Sequence, residues 1–364
     1  MEAESNWENA ENILCVRLDS LGDVLMSSPA LRAIKEGHPE RKIILLTSPE
    51  GANVANLTPE IDEVISYEAP WMKSSSPRSN SRLDYMIAAQ LQQAGFDAAI
   101  IFTVYSQNPL PSAFLCYLAG IPLRLAHCRE NPYHLLTNWV PENGLNDNGR
   151  HEVRRQLDLV RTVGYTTEDE SLSLHVPEAA ARSAVKKLEK AGIDLSTPWV
   201  AIHPGASAAS RRYPPEGFME VSQTLVKRMG IQVVFTGSKN ERPLVASIRE
   251  GMSAPSFSLA GQLDLGELAA VLQLAPLLIS NNTGPVHVSA AVGTPVVDLY
   301  ALTNPQHTPW MVTNRVLNHD VDCKYCYKSV CPEGHHDCLR RVSPEEVVSA
   351  ACDLLVMTAA ESVK

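Results

Sequence analysis

Short apolar, β-rich runs alternate with helix-length segments along this chain, and the alternation occurs twice. In the first half, strands are expected at Ile13–Leu18, Lys42–Thr47, Glu63–Tyr67 and Ala98–Phe102, with helices at Val24–Gly37, Arg82–Ala94, Pro111–Ala119 and His151–Val163. Trp71–Ser81, rich in Ser and Pro, reads as a loop. Gly164–Glu178 is polar and irregular and suits a linker. The pattern then restarts, with strands at Trp199–His203, Gln232–Thr236, Ser256–Leu259, Leu277–Ser280 and Val296–Leu299. Helices of this half are expected at Ala179–Ala191, Pro215–Arg228, Glu241–Met252, Leu265–Leu274 and Val286–Val292, and Pro344–Met357 forms a last one. Such alternation builds a parallel sheet covered on both faces, because each parallel crossover needs a helix-length connection. Two such halves make an α/β chain whose ligands bind at the carboxyl ends of the strands. A length of 364 residues also suits two domains better than one core.

Hydrophobic content of 45% and charged content of 20% describe a globular chain. No apolar run reaches the length of a membrane span. The start, Met1 to Glu11, is acidic and polar and does not read as a secretory signal, so a cytoplasmic location is expected. A net charge of −10 argues against general nucleic-acid binding.

Three segments sit where strands give way to helices. Arg17 closes the first strand, and Asp19-Ser20-Leu21-Gly22-Asp23 turns into a helix. His203-Pro204-Gly205-Ala206-Ser207 follows another strand and leads to Arg211-Arg212-Tyr213-Pro214. Asn281-Asn282-Thr283-Gly284-Pro285-Val286-His287 follows a third. Thr and Asn suit a helix N-cap and Pro285 suits the first helical position. A helix start presents unpaired N–H groups and partial positive charge, which can hold a phosphate.

These segments, in this order, resemble family 9 glycosyltransferases, the ADP-heptose:lipopolysaccharide heptosyltransferases. The family pattern is R-x-S-S-L-G-D-V-L, then H-P-G-A-S-x-x-x-K-R-W-P, then N-D-T-G-P-x-H. The likeness extends through Ala119 to Arg124, Thr236-Gly237 with Glu241, and Cys331 to Leu339, and so spans about Asn12 to Leu355. It implies the GT-B fold: two Rossmann-like, doubly wound parallel-sheet domains facing across a cleft. The expected domains are an acceptor-binding unit over 1–175 and a nucleotide-sugar-binding unit over 176–342 with a Cys-rich loop at 323–338. A C-terminal helix over 343–364 is expected to pack back on the first unit. The implied activity is an inverting, metal-independent transfer of heptose from ADP-heptose to an acceptor hydroxyl in the lipopolysaccharide inner core.

The resemblance makes Asp23 the catalytic base. Read from residues alone, Ser20-x-x-Asp23 is also a capping box, and the two roles can coexist. On the donor side the resemblance implies Ser207, Arg211, Arg212, Glu241, Asn282, Thr283, Gly284 and His287. Glu241 would hold ribose hydroxyls, although a Glu at a helix start is also favourable by itself. The family usually carries Lys where this chain has Arg211; Arg keeps the charge and grips phosphate with two prongs. It often carries Asp where this chain has Asn282, which removes a negative charge while keeping hydrogen-bonding capacity. Arg124 and Arg154 are candidate acceptor contacts, and Arg150, Arg154 and Arg161 share one helical face with Arg155 beside it, which reads equally as a solvated surface. An anionic glycan or glycolipid acceptor would suit them, with any membrane contact peripheral.

Four of eight cysteines cluster as Cys323-x2-Cys326-x4-Cys331-x6-Cys338. The first spacing fits a metal knuckle and the others match no standard zinc pattern, so a structural Zn or Fe site and a compact thiol-rich loop are both open. Cys15, Cys116, Cys128 and Cys352 sit among apolar neighbours and are expected in the core. No Asp-x-Asp metal motif accompanies the donor segments, and no cofactor is expected to be required. No G-x-G-x-x-G, Walker A loop or G-x-S-x-G is present, which removes the main support for dinucleotide, ATPase and esterase readings. Two alternatives stay open: the same fold and donor acting on a protein, antibiotic or other glycan, and a non-enzymatic sugar-nucleotide- or metal-binding protein.

Overall fold

A computed structural model of the chain describes residues 6–73, 75–142 and 149–361. The first five residues of the acidic start and Ser74 of the Ser/Pro-rich loop lie outside the described residues. The chain forms two compact units, Met1–His175 and Val176–Lys364.

In the first unit the strands are β1 (Asn12–Arg17), β2 (Lys42–Thr47), β3 (Glu63–Ser66), β4 (Ala98–Ile101), β5 (Leu123–Cys128) and β6 (Asn138–Pro141). Its helices are α1 (Leu21–Glu36), α2 (Pro49–Ala55), α3 (Arg82–Ala94), α4 (Leu110–Leu118) and α5 (Glu152–Arg161). The strands form one parallel sheet in the order β3-β2-β1-β4-β5-β6. β1 is buried from Ile13 to Arg17, as a strand covered on both faces must be. α1 packs with α2 and α5, while Ile87 and Leu91 of α3 and Ala113 and Leu115 of α4 enter the core with β1 and β4.

The second unit repeats this plan. Its strands are β7 (Trp199–His203), β8 (Gln232–Phe235), β9 (Phe257–Ser258), β10 (Leu278–Asn281), β11 (Val296–Leu299) and β12 (Asn314–Leu317). Its helices are α6 (Glu178–Ala191), α7 (Pro215–Met229), α8 (Arg242–Gly251), α9 (Leu265–Leu274), α10 (Gly284–Ala291), α11 (Asp337–Arg340) and α12 (Pro344–Glu361). The sheet order is β12-β11-β10-β7-β8-β9, all parallel. Each unit therefore reverses strand order once, between β1 and β4 in the first and between β7 and β10 in the second. The crevice above such a reversal is where doubly wound sheets bind ligands.

α12 packs on α7 and against β11 and β12. Val347, Ala351 and Leu354 are buried in the second unit's core beside Phe218 and Val221.

Candidate functional site

At the first reversal, Arg17 ends β1 with a fully buried guanidinium. Three carboxylates surround it. Nε lies 3.1 Å from Asp19 Oδ2, Nη2 3.2 Å from Asp23 Oδ1 and Nη1 3.1 Å from Glu152 Oε1. Asp23 stands in the first turn of α1, with Ser20 as N-cap. Its Oδ2 accepts from the Ser20 N–H at 3.2 Å and the Ser20 hydroxyl at 2.7 Å. The capping role is thus real, and it uses one oxygen while Arg17 holds the other. The Asp23 side chain keeps 14% of its surface exposed, whereas Glu152 is sealed. Asp23 therefore stands at a helix N-terminus, where a carboxylate both caps the backbone and meets the positive end of the dipole.

Glu152 opens α5 and also accepts from Gln156 Nε2 at 2.6 Å. Gln156 in turn reaches the Thr103 carbonyl beyond β4 at 3.0 Å. Arg155 is buried and bidentate on Glu142, at 2.6 Å and 3.0 Å. His127 on β5 meets the Arg155 carbonyl at 2.9 Å, and burial lowers its affinity for a proton to a pKa of about 4. Asp19 also accepts from Gln107 Nε2, and burial raises its pKa against the pull of Arg17. Buried charges demand such partners. Sequence reading put no functional weight on Asp19, Glu142 or Glu152, whose partners lie far along the chain.

The arginines expected to meet an acceptor are largely engaged. Arg124 is buried, with its donors on the carbonyls of Ile121, His134 and Leu135 and its guanidinium 5.5 Å from the Tyr117 ring centre. These contacts hold the turn after β5. Arg154 is about half exposed, its side chain 47% open, and pairs with Glu170. Arg150 and Arg161 both pair with Asp158, and Arg155 is sealed inside.

At the second reversal the expected donor residues gather on the loops after β7, β8 and β10. Asn281 is the pin: Nδ2 donates to the Pro204 carbonyl at 2.7 Å and Oδ1 accepts from the Tyr213 N–H at 2.9 Å. Arg212 braces the same loop by donating to the Ala206 carbonyl at 2.8 Å. Ser207 is exposed and Arg211 half-buried. Among the described residues, the Arg211 guanidinium makes no hydrogen bond or ion pair; its charge acts on Asp298 and Tyr300, opposing the larger rise in pKa that burial gives each. Glu241 precedes α8, where its Oε2 accepts from the Ser238 N–H at 2.7 Å and lies 3.7 Å from His203 Nε2. A side chain at Gly205 would meet Glu241 Oε1 at 1.8 Å, so only glycine lets that carboxylate lie against the β7 loop. His203 is buried, and burial lowers its pKa; it touches the Thr236 hydroxyl at 3.0 Å.

α10 begins at Gly284 with Thr283 as N-cap, and the Thr283 side chain makes no capping bond. The helix start is therefore left to another acceptor, the arrangement that suits an anion. His287 is buried in its first turn and Asn282 just before it.

The Cys-rich loop serves as a brace. Its Lys328 and Ser329 carbonyls accept from the Ser210 hydroxyl and N–H, at 2.8 Å and 3.0 Å. Tyr325 and Tyr327, both with positive φ, donate their N–H groups to the carbonyls of Leu302 and Thr303. Cys323 Sγ lies 3.7 Å from His335 Nε2. Among the described residues, no three His, Cys, Asp or Glu side chains converge as a metal site. Desolvation shifts the thiols of Cys323 and Cys338 upward. Cys15, Cys116 and Cys128 are buried in the first unit, and Cys352 is partly buried.

The family model described as glycosyltransferase family 9 (heptosyltransferase) matches residues 85–336. The chain belongs to glycosyltransferase family 9. Lipooligosaccharide heptosyltransferase 2 of Haemophilus ducreyi is 25% identical over 94% of this chain and 99% of its own length. The structure described as the glycosyl transferase family 9 from Veillonella parvula superposes with a TM-score of 0.80 at 24% identity, over 98% of this chain and 99% of that one. Escherichia coli ADP-heptose lipopolysaccharide heptosyltransferase II superposes at 0.74 and 22% identity, over 95% and 99%. The family 9 protein is a glycosyltransferase of the GT-B fold class. Among its described residues no helix is long and apolar enough to cross a membrane.

Proposed function

We propose that this enzyme transfers a heptose from ADP-heptose to a hydroxyl of the lipopolysaccharide inner core, with inversion and without a required metal. The observation that carries the reading is the anion-ready reversal of the second unit: an α10 start whose Thr283 side chain makes no capping bond, an Arg211 guanidinium without a hydrogen bond or ion pair among the described residues, and Glu241 against the β7 loop. The names of its relatives, heptosyltransferases of lipooligosaccharide and lipopolysaccharide, support the donor and acceptor classes. The absence of a membrane-spanning helix among the described residues accords with a cytoplasmic enzyme touching membranes at most peripherally.

In the proposed reaction the acceptor oxygen attacks C1 of the heptose as the bond from C1 to the β-phosphate oxygen breaks. Its electron pair leaves with ADP, and one displacement inverts the anomeric centre. The hydroxyl proton passes to Asp23, whose Oδ1 meets Arg17 and whose Oδ2 accepts from Ser20. Uptake of that proton relieves the crowding of three carboxylates around one guanidinium. Arg211 and the N–H groups of α10 receive the charge that builds on the departing diphosphate. Glu241 accepts the ribose hydroxyls.

Calorimetric titration with ADP, UDP, GDP and ADP-heptose tests the reading. Selective binding of ADP and ADP-heptose, weakened in Glu241→Ala, is expected. Binding of no nucleotide would refute it.

A further inference from the structure

Asn282 follows β10 and precedes the start of α10, and it is 4% exposed. Two neighbours reach its carboxamide. Nδ2 lies 3.1 Å from Asp298 Oδ2 and 2.9 Å from the His307 carbonyl. A main-chain carbonyl only accepts, so the amino end of the amide must face it. The other end is thereby fixed as well. Oδ1 accepts from no described residue and is not among the buried unpaired atoms, so it is the end left at the surface beside Thr283.

Both inward acceptors are themselves held. Asp298 is on β11, paired in register with Ser280, and is completely buried. Its Oδ1 has no hydrogen-bond partner. A sealed carboxyl with one bare oxygen costs stability, and packing alone would be better served by an apolar residue. The His307 carbonyl belongs to the loop after β11. The Tyr300 hydroxyl accepts from the His307 N–H at 3.2 Å and donates to the Asn304 carbonyl at 2.8 Å, which fixes that loop.

We propose that Asp298 and the His307 carbonyl form a positioning pair that locks Asn282 as a one-way acceptor, whose Oδ1 takes a hydroxyl of the donor's sugar. The inference rests on the donor reading above and deepens it. A free amide can flip and offer either a donor or an acceptor. A locked one demands a hydroxyl, and a site built around a hydroxyl discriminates strongly against a sugar lacking it. Asn282 is then a specificity-determining residue, and Asp298 acts only through it.

The test is calorimetric, with ADP and ADP-heptose as separate probes on the full chain. Asp298→Leu removes the inward acceptor at similar bulk. Asn282→Ala removes the outward one and carries the test should Asp298→Leu not fold. Each is expected to weaken ADP-heptose about tenfold, the loss of about one hydrogen bond, with ADP within about twofold of wild type. Asp298→Asn keeps an acceptor at the same place and is expected to stay within about threefold of wild type for both probes. Equal weakening of ADP and ADP-heptose would reduce the pair to structural support and overturn the inference. Unchanged ADP-heptose affinity in Asp298→Leu and Asn282→Ala would overturn the lock while leaving the donor reading standing. Wild-type protein that does not bind ADP-heptose would overturn the donor reading and the sugar contact together.

Discussion

Arg17 Nη2 lies 3.2 Å from Asp23 Oδ1, with the guanidinium fully buried and the carboxylate partly open. The same guanidinium meets Asp19 and Glu152. One buried cation thus fixes the proposed base and organises the end of β1. Replacing Arg17 by Met should leave the carboxyls of Asp19, Asp23 and Glu152 without their cation and cost about 3–5 kcal/mol in denaturant unfolding. A cost below about 1 kcal/mol would show that the cluster relaxes into water and does not define Asp23's position.

Stability should fall as pH rises through the neutral range. Burial raises the Asp298 pKa from 3.8 to about 8, and burial also raises Asp19. Each folded carboxyl then holds a proton that its unfolded counterpart has released. Each contribution is complete below the unfolded pKa near 4 and is lost as pH rises through the folded pKa. The Asp298 part of the slope is about 1.4 kcal/mol per pH unit over that window. Denaturant midpoints measured from pH 4 to 8 should flatten in Asp298→Asn; an unchanged profile would mean that Asp298 ionises freely.

Gly205→Ala should separate nucleotide binding from folding. Its new Cβ would lie 1.8 Å from Glu241 Oε1, so the carboxylate must leave the β7 crevice. Nucleotide affinity should drop about tenfold while the thermal midpoint moves by only a few degrees. Wild-type affinity in this variant would remove Glu241 from the nucleotide site.

The Arg211 guanidinium makes no hydrogen bond or ion pair among the described residues, so its charge is available to a diphosphate. Arg211→Ala should lower kcat/KM about a hundredfold, and Arg211→Lys should recover most of it, because charge matters more than the two-pronged grip for a leaving group in motion. Steady-state kinetics decide this. Equal losses in both variants would point to bidentate binding instead.

Much of this molecule was legible in its sequence, for physical reasons that can be named. β1, β7 and β10 are apolar runs ending in turn residues, and their motifs mark the strand reversals of the two sheets. β5 escaped because Arg124 and His127 interrupt its apolar run, and both are buried only through partners supplied by tertiary structure. β6 and β12 are edge strands with little fully buried surface, so no burial pattern announces them. α2 has a Ser48 cap and Pro49, yet its seven residues are too few for helical periodicity. The site divides the same way. Asp23, Arg211 and Glu241 lie in local motifs. Glu152 is 135 residues from Arg17, and Asp298 is 16 from Asn282, so neither pairing has a signature in spacing. The cysteine spacing left a metal site and a thiol-rich loop both open, and nothing in that spacing announces the bracing of Ser210 and Leu302 by this loop.

Turnover of ADP-heptose by Asp23→Ala tests the central claim most directly, with circular dichroism and ADP affinity measured on the same preparation. The account predicts a folded protein that binds ADP as wild type does and whose kcat falls at least about a hundredfold, the contribution of a positioned base. Wild-type turnover by that folded variant would contradict it, and Asp23 would then be a helix cap and nothing more.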